Sequence, residues 1–291
     1  MREIDLHVHT TASDGTCTPT EAVRRASALG LRAIAITDHD NISGHAEAFS
    51  AGMDLGIEVV PGIEVSAKYD VSIHILGYYI EDLIPILANI VNDRDQRNEQ
   101  ITARMAADGL PVDYQAMKKR FGNVIGRPHF GRILVELGLA ESVSDAFARF
   151  MSRGKPYFVP RRSIDLDTAV EAVLASGGVP VLAHPFQYKK DDSALRELIG
   201  RCMDHGLMGM ECRYSGYDPD QVRYLEALAE EYSLMKTGGS DFHGDNKPHI
   251  SLGTGINGEL DVPYAWLERV REAAGKLHHT LSSHAQSSSA E

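Results

Sequence analysis

Two histidines separated by one residue open the chain, in Glu3-Ile4-Asp5-Leu6-His7-Val8-His9, and an aspartate follows in Ser13-Asp14-Gly15. The apolar run is that of a strand, where alternate side chains share a face, so His7 and His9 project together and Val8 faces the other way. Neutral imidazoles fixed side by side form half of a divalent-metal site, and a turn aspartate can swing a carboxylate toward it. His-x-His alone is weak, equally suited to a strand with two incidental histidines. The rest of the chain decides: His39 ends the run Ala33-Ile34-Ala35-Ile36-Thr37-Asp38, Glu64 sits in Pro61-Gly62-Ile63-Glu64-Val65-Ser66, and His74 in Ser72–Tyr78. His184 ends Val179–Ala183, and Asp241 and His243 follow the short run Leu234–Thr237 in Gly238-Gly239-Ser240-Asp241-Phe242-His243. A structural metal site needs about four ligands; this chain offers more than twice that number.

The elements that must position these residues alternate. Thr18-Pro19-Thr20-Glu21 opens a helix with an N-cap and a capping-box pattern, and helices follow the strands near 44–56, 166–176, 191–204, 218–232 and 263–275. Short apolar runs between helices are expected to be buried parallel strands. The alternation implies an α/β fold, either a (β/α) barrel or an open parallel sheet. In a barrel, catalytic groups collect at the carboxyl ends of the strands, where all eight strand-linked candidates would meet. Between about Leu83 and Phe150 the rhythm becomes helical, with Arg94, Arg97 and Arg104 on a long polar-faced helix and Gly109-Leu110-Pro111 breaking it. The organisation expected is a discontinuous barrel over 1–82 and 155–276, a helical insertion over 83–154 forming a substrate-covering lobe, and a disordered Ser/Ala/His-rich tail over 277–291.

The 291 residues suffice for one large domain with an insertion, and the net charge of −12 argues against a broad nucleic-acid surface, which needs a basic face. No apolar run approaches the ~20 residues of a membrane span. The three cysteines, Cys17, Cys202 and Cys212, have no metal-type spacing. The expected setting is cytoplasmic and reducing, without signal peptide or membrane association.

Taken together, His7-Val8-His9 with Asp14, Thr37-Asp38-His39-Asp40, Gly62-Ile63-Glu64, His74, Ala183-His184-Pro185 and Gly239-Ser240-Asp241-Phe242-His243 resemble the motifs of the PHP (polymerase and histidinol phosphatase) family. The resemblance covers 1–80 and 178–245. It implies a distorted (β/α)7 TIM-like barrel with two or three divalent metals that hydrolyses phosphate esters. It further implies that His7, His9, Glu64 and Asp241 hold a first metal, that Glu64 bridges to a second held by His74 and His184, and that Asp14, His39 and His243 hold a third. Many family members carry histidine where this chain has Asp14, and the harder oxygen favours Mn2+ over Zn2+, with Fe2+ and Mg2+ as further candidates. Metals also let an acidic protein take an anionic substrate, because they invert the local charge. Glu64, Asp241 and His243 are the expected catalytic residues, His243 serving as general acid if no third metal binds.

Cations outside this set are candidates for substrate binding. Lys68 follows the Glu64 strand, and Arg127 and His129 begin a helix in the insertion, where an amino terminus and an Arg fork suit an anion. Lys155, Arg161 and Arg162 form a second cluster where the insertion rejoins. Two clusters suggest two phosphates, or a nucleotide chain end. Tyr157 and Phe158 beside the second cluster suit either base stacking or core packing.

The insertion with Gly126-Arg127-Pro128-His129-Phe130 and Pro156-Tyr157-Phe158-Val159-Pro160 is similar to a bacterial branch of the family comprising 3',5'-nucleotide bisphosphate phosphatases and RNase AM-type 5'-3' exonucleases. That resemblance implies removal of the 3'-phosphate from adenosine 3',5'-bisphosphate and trimming of short 5'-phosphorylated RNA; no obligate protein partner is expected. The competing readings are a histidinol-phosphate phosphatase, whose substrate has one phosphate, a non-catalytic PHP module of the polymerase-associated kind, and, more weakly, a metal-dependent amidohydrolase.

Overall fold

The computed structural model describes residues 3–80, 85–121, 125–160 and 164–288. Strand β1 (Ile4–Val8) runs through a loop to α1 (Pro19–Ala28), capped as expected by Thr18 and Glu21. Next come β2 (Ala33–Ile36), α2 (His45–Leu55), the long β3 (Glu58–Lys68) and β4 (Ser72–Tyr78). The helices α3 (Pro85–Ala107), α4 (Tyr114–Phe121), α5 (Arg127–Glu136) and α6 (Val143–Ala146) follow, the last continuing into a π-turn over Phe147–Met151. The chain returns through β5 (Ile164–Asp165), α7 (Leu166–Ala175), β6 (Val179–Leu182), α8 (Asp192–Asp204), β7 (Gly209–Tyr214), α9 (Pro219–Glu231), β8 (Met235–Gly239) and α10 (Tyr264–Ser288).

Seven strands pair in the order β1-β2-β3-β4-β6-β7-β8, and β5 adds to the end of β3. Bonds from Asp241 N to His7 O (2.8 Å) and from His9 N to Phe242 O (2.9 Å) bring the β8 end back against β1, so the mixed barrel is nearly closed. The barrel departs from all-parallel at one place. β4 is antiparallel to both β3 and β6, because only the turn at 69–71 separates it from β3. His74 therefore lies near the start of its strand, not the end, and pairs in register with Ser66 at the far end of β3. Reversed direction and early position offset each other, and His74 reaches the same rim as the other expected ligands at the ends of parallel strands.

Apolar residues of the strands and of α7, α8 and α9 form one large core, and those of β1, β2, β6 and α10 a second. The inserted helices have their own, centred on Ile101, Met105, Met117, Phe130, Leu134 and Met151. Tyr157 and Val159 belong to it, so packing of the lobe extends a few residues past the expected boundary at 154. Tyr157 is buried, stacks on Phe150 and donates to Asp108 Oδ2 at 2.9 Å, which makes it a core residue.

The tail departs from expectation. From 277 the chain is helical through Ser288, continuing α10. Leu277 packs against the second core and His278 Nε2 donates to Gly177 O at 2.8 Å, contacts that a reading of composition alone misses. No helix among the described residues is long and apolar enough to cross a membrane.

Candidate metal centre

All nine expected ligands meet at one end of the barrel; six are buried, and Asp14, His39 and His74 are half-buried. Their potential donor atoms fall into four overlapping groups: His9 with Asp14, His39 and His243; His7 with Glu64 and His184; His7 with His9 and Asp241; and His39 with Glu64 and His74. The grouping differs in detail from the expected one. His9 also approaches Asp14 and His243, and His39 also approaches Glu64, because the His9 ring stacks on His243 at 4.0 Å and lies 4.6 Å from His39.

Glu64 is the hub. Its Oε1 lies 2.8 Å from His74 Nδ1 and 2.9 Å from His184 Nε2, and its Oε2 lies 3.0 Å from His39 Nδ1 and 3.2 Å from His9 Nε2. Burial alone would raise its pKa, but the surrounding imidazoles outweigh that and hold the carboxyl well below the usual range. Asp14 and Asp241 are likewise held down against burial, Asp14 chiefly by His243 and His39, Asp241 chiefly by Lys247 and His243. The imidazoles split. Burial opposes a charge on His9, yet Asp241 and Glu64 raise it to about 9, whereas burial dominates at His39 and pushes it down to about 3.

The residues fit divalent ions. Buried side-chain atoms without a hydrogen-bond partner include His7 Nε2, His9 Nε2, His39 Nδ1, His184 Nδ1 and Glu64 Oε2. Buried polar atoms are normally paired, and so many orphans in one cluster of imidazole nitrogen and carboxylate oxygen donors match what a first-row metal takes. Two of the histidines have the ring nitrogen facing away from the cluster engaged, as in metal sites generally. His7 Nδ1 faces Glu211 Oε1 at 3.0 Å, and His243 Nδ1 donates to Asp241 O at 2.8 Å. His243 thus turns Nε2 toward Asp14 (3.3 Å), an arrangement suited to a ligand more than to a general acid.

The backbone at the rim is strained. Asp40, His184 and Asp241 have φ of 52°, 27° and 57°, a region that costs a non-glycine residue on the order of 1–3 kcal/mol and recurs at functional sites. Each is tied down by its neighbours. Asp40 accepts from Ser66 N (2.8 Å) and pairs with Arg94, which also donates to His39 O (3.0 Å). Asp241 Oδ2 accepts from Tyr214 OH (2.6 Å) and Lys247 Nζ (2.5 Å), leaving Oδ1 toward the histidines. Asp38 accepts from Thr10 and Ser13, which fixes the loop after His9.

A cleft of about 440 Å3 opens from this cluster. Asp14, His39 and His74 form one side. The inserted lobe faces them with Arg94 and Arg97 of α3, Phe158, and Gly126, Arg127 and Pro128 at the start of α5. Of the expected substrate residues, Arg127 lines it. Three others do not. His129 is buried, its Nδ1 accepting Gly126 N–H at 2.9 Å and its ring stacked on Phe121, so it caps α5, and burial pushes its pKa down to about 4. Lys155 is exposed on the turn after Gly154, and Lys68 is exposed at the end of β3, paired there with Ser72 and Asp165. Arg161 and Arg162 lie outside the described residues. Sequence reasoning placed Arg94 and Arg97 on a polar helix face without assigning them to the site. Both are buried, Arg97 bonding Asn98 Oδ1 at 2.8 Å, and a run of arginines at i and i+3 on a helix otherwise packed against a core is the signal that points inward.

A nearly closed mixed barrel carrying a buried, multi-histidine and carboxylate centre under a helical lobe defines the class as metal-dependent phosphoesterases. The chain belongs to the PHP domain family, whose model matches residues 5–205. It is 35% identical over 247 residues to a 5'-3' exoribonuclease from Haemophilus influenzae, covering 83% of this chain and 90% of that one. It is 33% identical over 260 residues to a 3',5'-nucleoside bisphosphate phosphatase from Chromobacterium violaceum, covering 87% and 91%. A solved structure from Bifidobacterium adolescentis, predicted to be a metal-dependent phosphoesterase, superposes with a TM-score of 0.78 at 33% identity, over 92% of this chain and 95% of that one.

Proposed function

We propose that this phosphoesterase acts on nucleotides that carry a 5'-phosphate and cleaves at the 3' side, releasing the 3'-phosphate of adenosine 3',5'-bisphosphate and trimming short 5'-phosphorylated RNA. The observation that carries the reading is the two-sided cleft, with metal-ligand residues on one wall and Arg94, Arg97, Arg127 and the start of α5 on the other. The names of the similar proteins, an exoribonuclease and a bisphosphate phosphatase, support it.

Divalent ions held by His7, His9, Asp14, His39, Glu64, His74, His184, Asp241 and His243 would supply Lewis-acid activation of water and neutralise charge on the phosphoryl group; Mn2+ suits the mixed nitrogen and oxygen donors. The chain's own task is positioning. Only one phosphate can react at the carboxylate side; the second must be recognised by protein donors, and guanidinium forks suit it. Arg94 is fixed by Asp40 and His39 O, and Arg97 by Asn98, so their orientation is set before substrate arrives. Anchoring the 5'-phosphate uses binding energy remote from the reaction to orient the 3' ester. Asp14, His39 and His74 line the reacting side, the two imidazoles set against Glu64, and Phe158 and Phe147 give the cleft an apolar flank for a nucleoside.

The test compares kcat/KM for adenosine 3',5'-bisphosphate and for 3'-AMP. Charge-assisted bonds contribute about 1.5–3 kcal/mol each, so the wild type should prefer the bisphosphate by ~10²-fold or more. Arg127→Ala should shrink that preference by ~10-fold or more and leave 3'-AMP turnover nearly unchanged. Equal turnover of the two substrates by the wild type refutes the anchor and makes histidinol phosphate the next substrate to try.

A further inference from the structure

We propose that Glu211 is a positioning residue for the metal centre, one buried carboxylate that holds two ligand histidines from different strands in binding orientation. Glu211 lies on β7 and is fully buried. Its Oε1 is 3.0 Å from His7 Nδ1 and its Oε2 accepts the backbone N–H of His184 at 2.8 Å. The first bond sets a tautomer. With the proton on Nδ1 facing the carboxylate, His7 must present a bare Nε2, and Nε2 is the atom left without a hydrogen-bond partner, 3.4 Å from Glu64 Oε1 and 3.6 Å from Asp241 Oδ1. The second bond sets a backbone. His184 sits at φ 27°, a conformation that favours glycine, and the accepted N–H holds it there. His7 and His184 belong with Glu64 to one candidate metal group, and His7 belongs to a second. Glu211 contacts no other ligand side chain through its hydrogen bonds and is absent from the cleft wall, so it acts through the histidines and does not touch substrate.

Glu211→Gln separates this role from simple support of the barrel. The amide has the same shape but one acceptor. If its oxygen keeps the His184 N–H, its NH2 faces His7 Nδ1 and selects the tautomer with hydrogen on Nε2, which cannot ligate. If the oxygen turns to His7, NH2 meets the His184 N–H donor to donor. Either way one ligand is lost from binding orientation.

The inference rests on these histidines being metal ligands, and the experiment keeps the two apart. Full-length chelator-treated protein is titrated with Mn2+ by calorimetry, alongside thermal melting of the metal-free form. Glu211→Gln should bind Mn2+ about 10–100-fold more weakly at one or more sites, as loss of an orienting partner does elsewhere. In a His7→Gln background the same substitution should cost much less. A wild type that binds no Mn2+ overturns the metal reading itself. Wild-type affinity and stoichiometry in Glu211→Gln, with only the metal-free melting temperature lowered, overturns the role of Glu211 alone. If the variant does not fold, nitrogen-15 spectra of the Zn2+-loaded wild type decide: hydrogen on Nδ1 of His7 supports the proposal, and hydrogen on Nε2 overturns it.

Discussion

Replacing Glu64 by glutamine tests the hub of the site while changing its volume very little. Four imidazole nitrogens lie within 2.8 to 3.2 Å of its two oxygens, and it is shared by two of the four donor groups. The variant removes the charge and turns one acceptor into a donor, so the histidines facing the new NH2 must turn a lone pair toward it and place hydrogen where a metal would bind. Loss of even an outer-shell partner typically costs 10–100-fold in metal affinity. Applied to each of the two groups, that gives a combined loss of ~10²–10⁴, or about 2.8–5.6 kcal/mol at 1.4 kcal/mol per decade. The fall in kcat should exceed ~10²-fold, the scale of losing one transition-state stabiliser. The assays are metal content by elemental analysis after desalting from excess Mn2+, and turnover of a phosphate monoester at saturating Mn2+. Metal content and kcat within about twofold of wild type would refute the assignment of Glu64 as the shared ligand.

Further outcomes follow from the same geometry. Lys155→Ala and Lys68→Ala should change kcat/KM for the bisphosphate by less than about twofold, since both side chains are exposed outside the cleft and exposed charges contribute little; Arg97→Met, measured in the same assay, should lower it by ~10-fold or more. Metal binding should release protons. His9 carries a proton below about pH 9 in the metal-free protein, and a metal takes only the neutral imidazole. Against burial, Glu211 and Glu64 hold the His7 imidazole well above its ordinary value too, so apparent Mn2+ affinity should rise with pH from 6 through 9, with net proton release at pH 7 visible in calorimetry across buffers of different ionisation enthalpy; pH-independent affinity would contradict the assignment. Saturating Mn2+ should also stabilise the fold, by about 4 kcal/mol at 1,000 times its dissociation constant, and chelation should reverse the gain in melting temperature.

How much of this was legible in the sequence depends on what each residue does. His7 and His9 declare themselves because strand alternation puts them on one face, and His39, His184, Asp241 and His243 because each ends an apolar run. Asp38-His39-Asp40 showed a candidate ligand flanked by carboxylates but not that those carboxylates brace the Thr10 loop and Ser66. Glu211 and Lys247 were not assigned to the site, since an isolated glutamate in an apolar strand and a lysine beyond a candidate-ligand loop acquire meaning only when the barrel closes and brings them to His7 and Asp241, whereas Tyr214, at the end of its strand, was expected on that face and donates to Asp241 Oδ2. His129 misled because a histidine at the start of a helix looks the same whether it binds an anion or accepts Gly126 N–H. Lys155 misled because charge clustering along the chain does not say which side of a turn faces the cleft. The run after 277 looked disordered because its composition is polar, while Leu277 and His278 find partners on the barrel underside.

The measurement that tests the central claim most directly is identification of the nucleotide product from adenosine 3',5'-bisphosphate. A cleft with Arg94, Arg97 and Arg127 on one wall and Asp14, His39 and His74 on the other, used as proposed, predicts 5'-AMP and phosphate, formed only with divalent metal. Accumulation of 3'-AMP, or full turnover in protein shown to be metal-free, would contradict it.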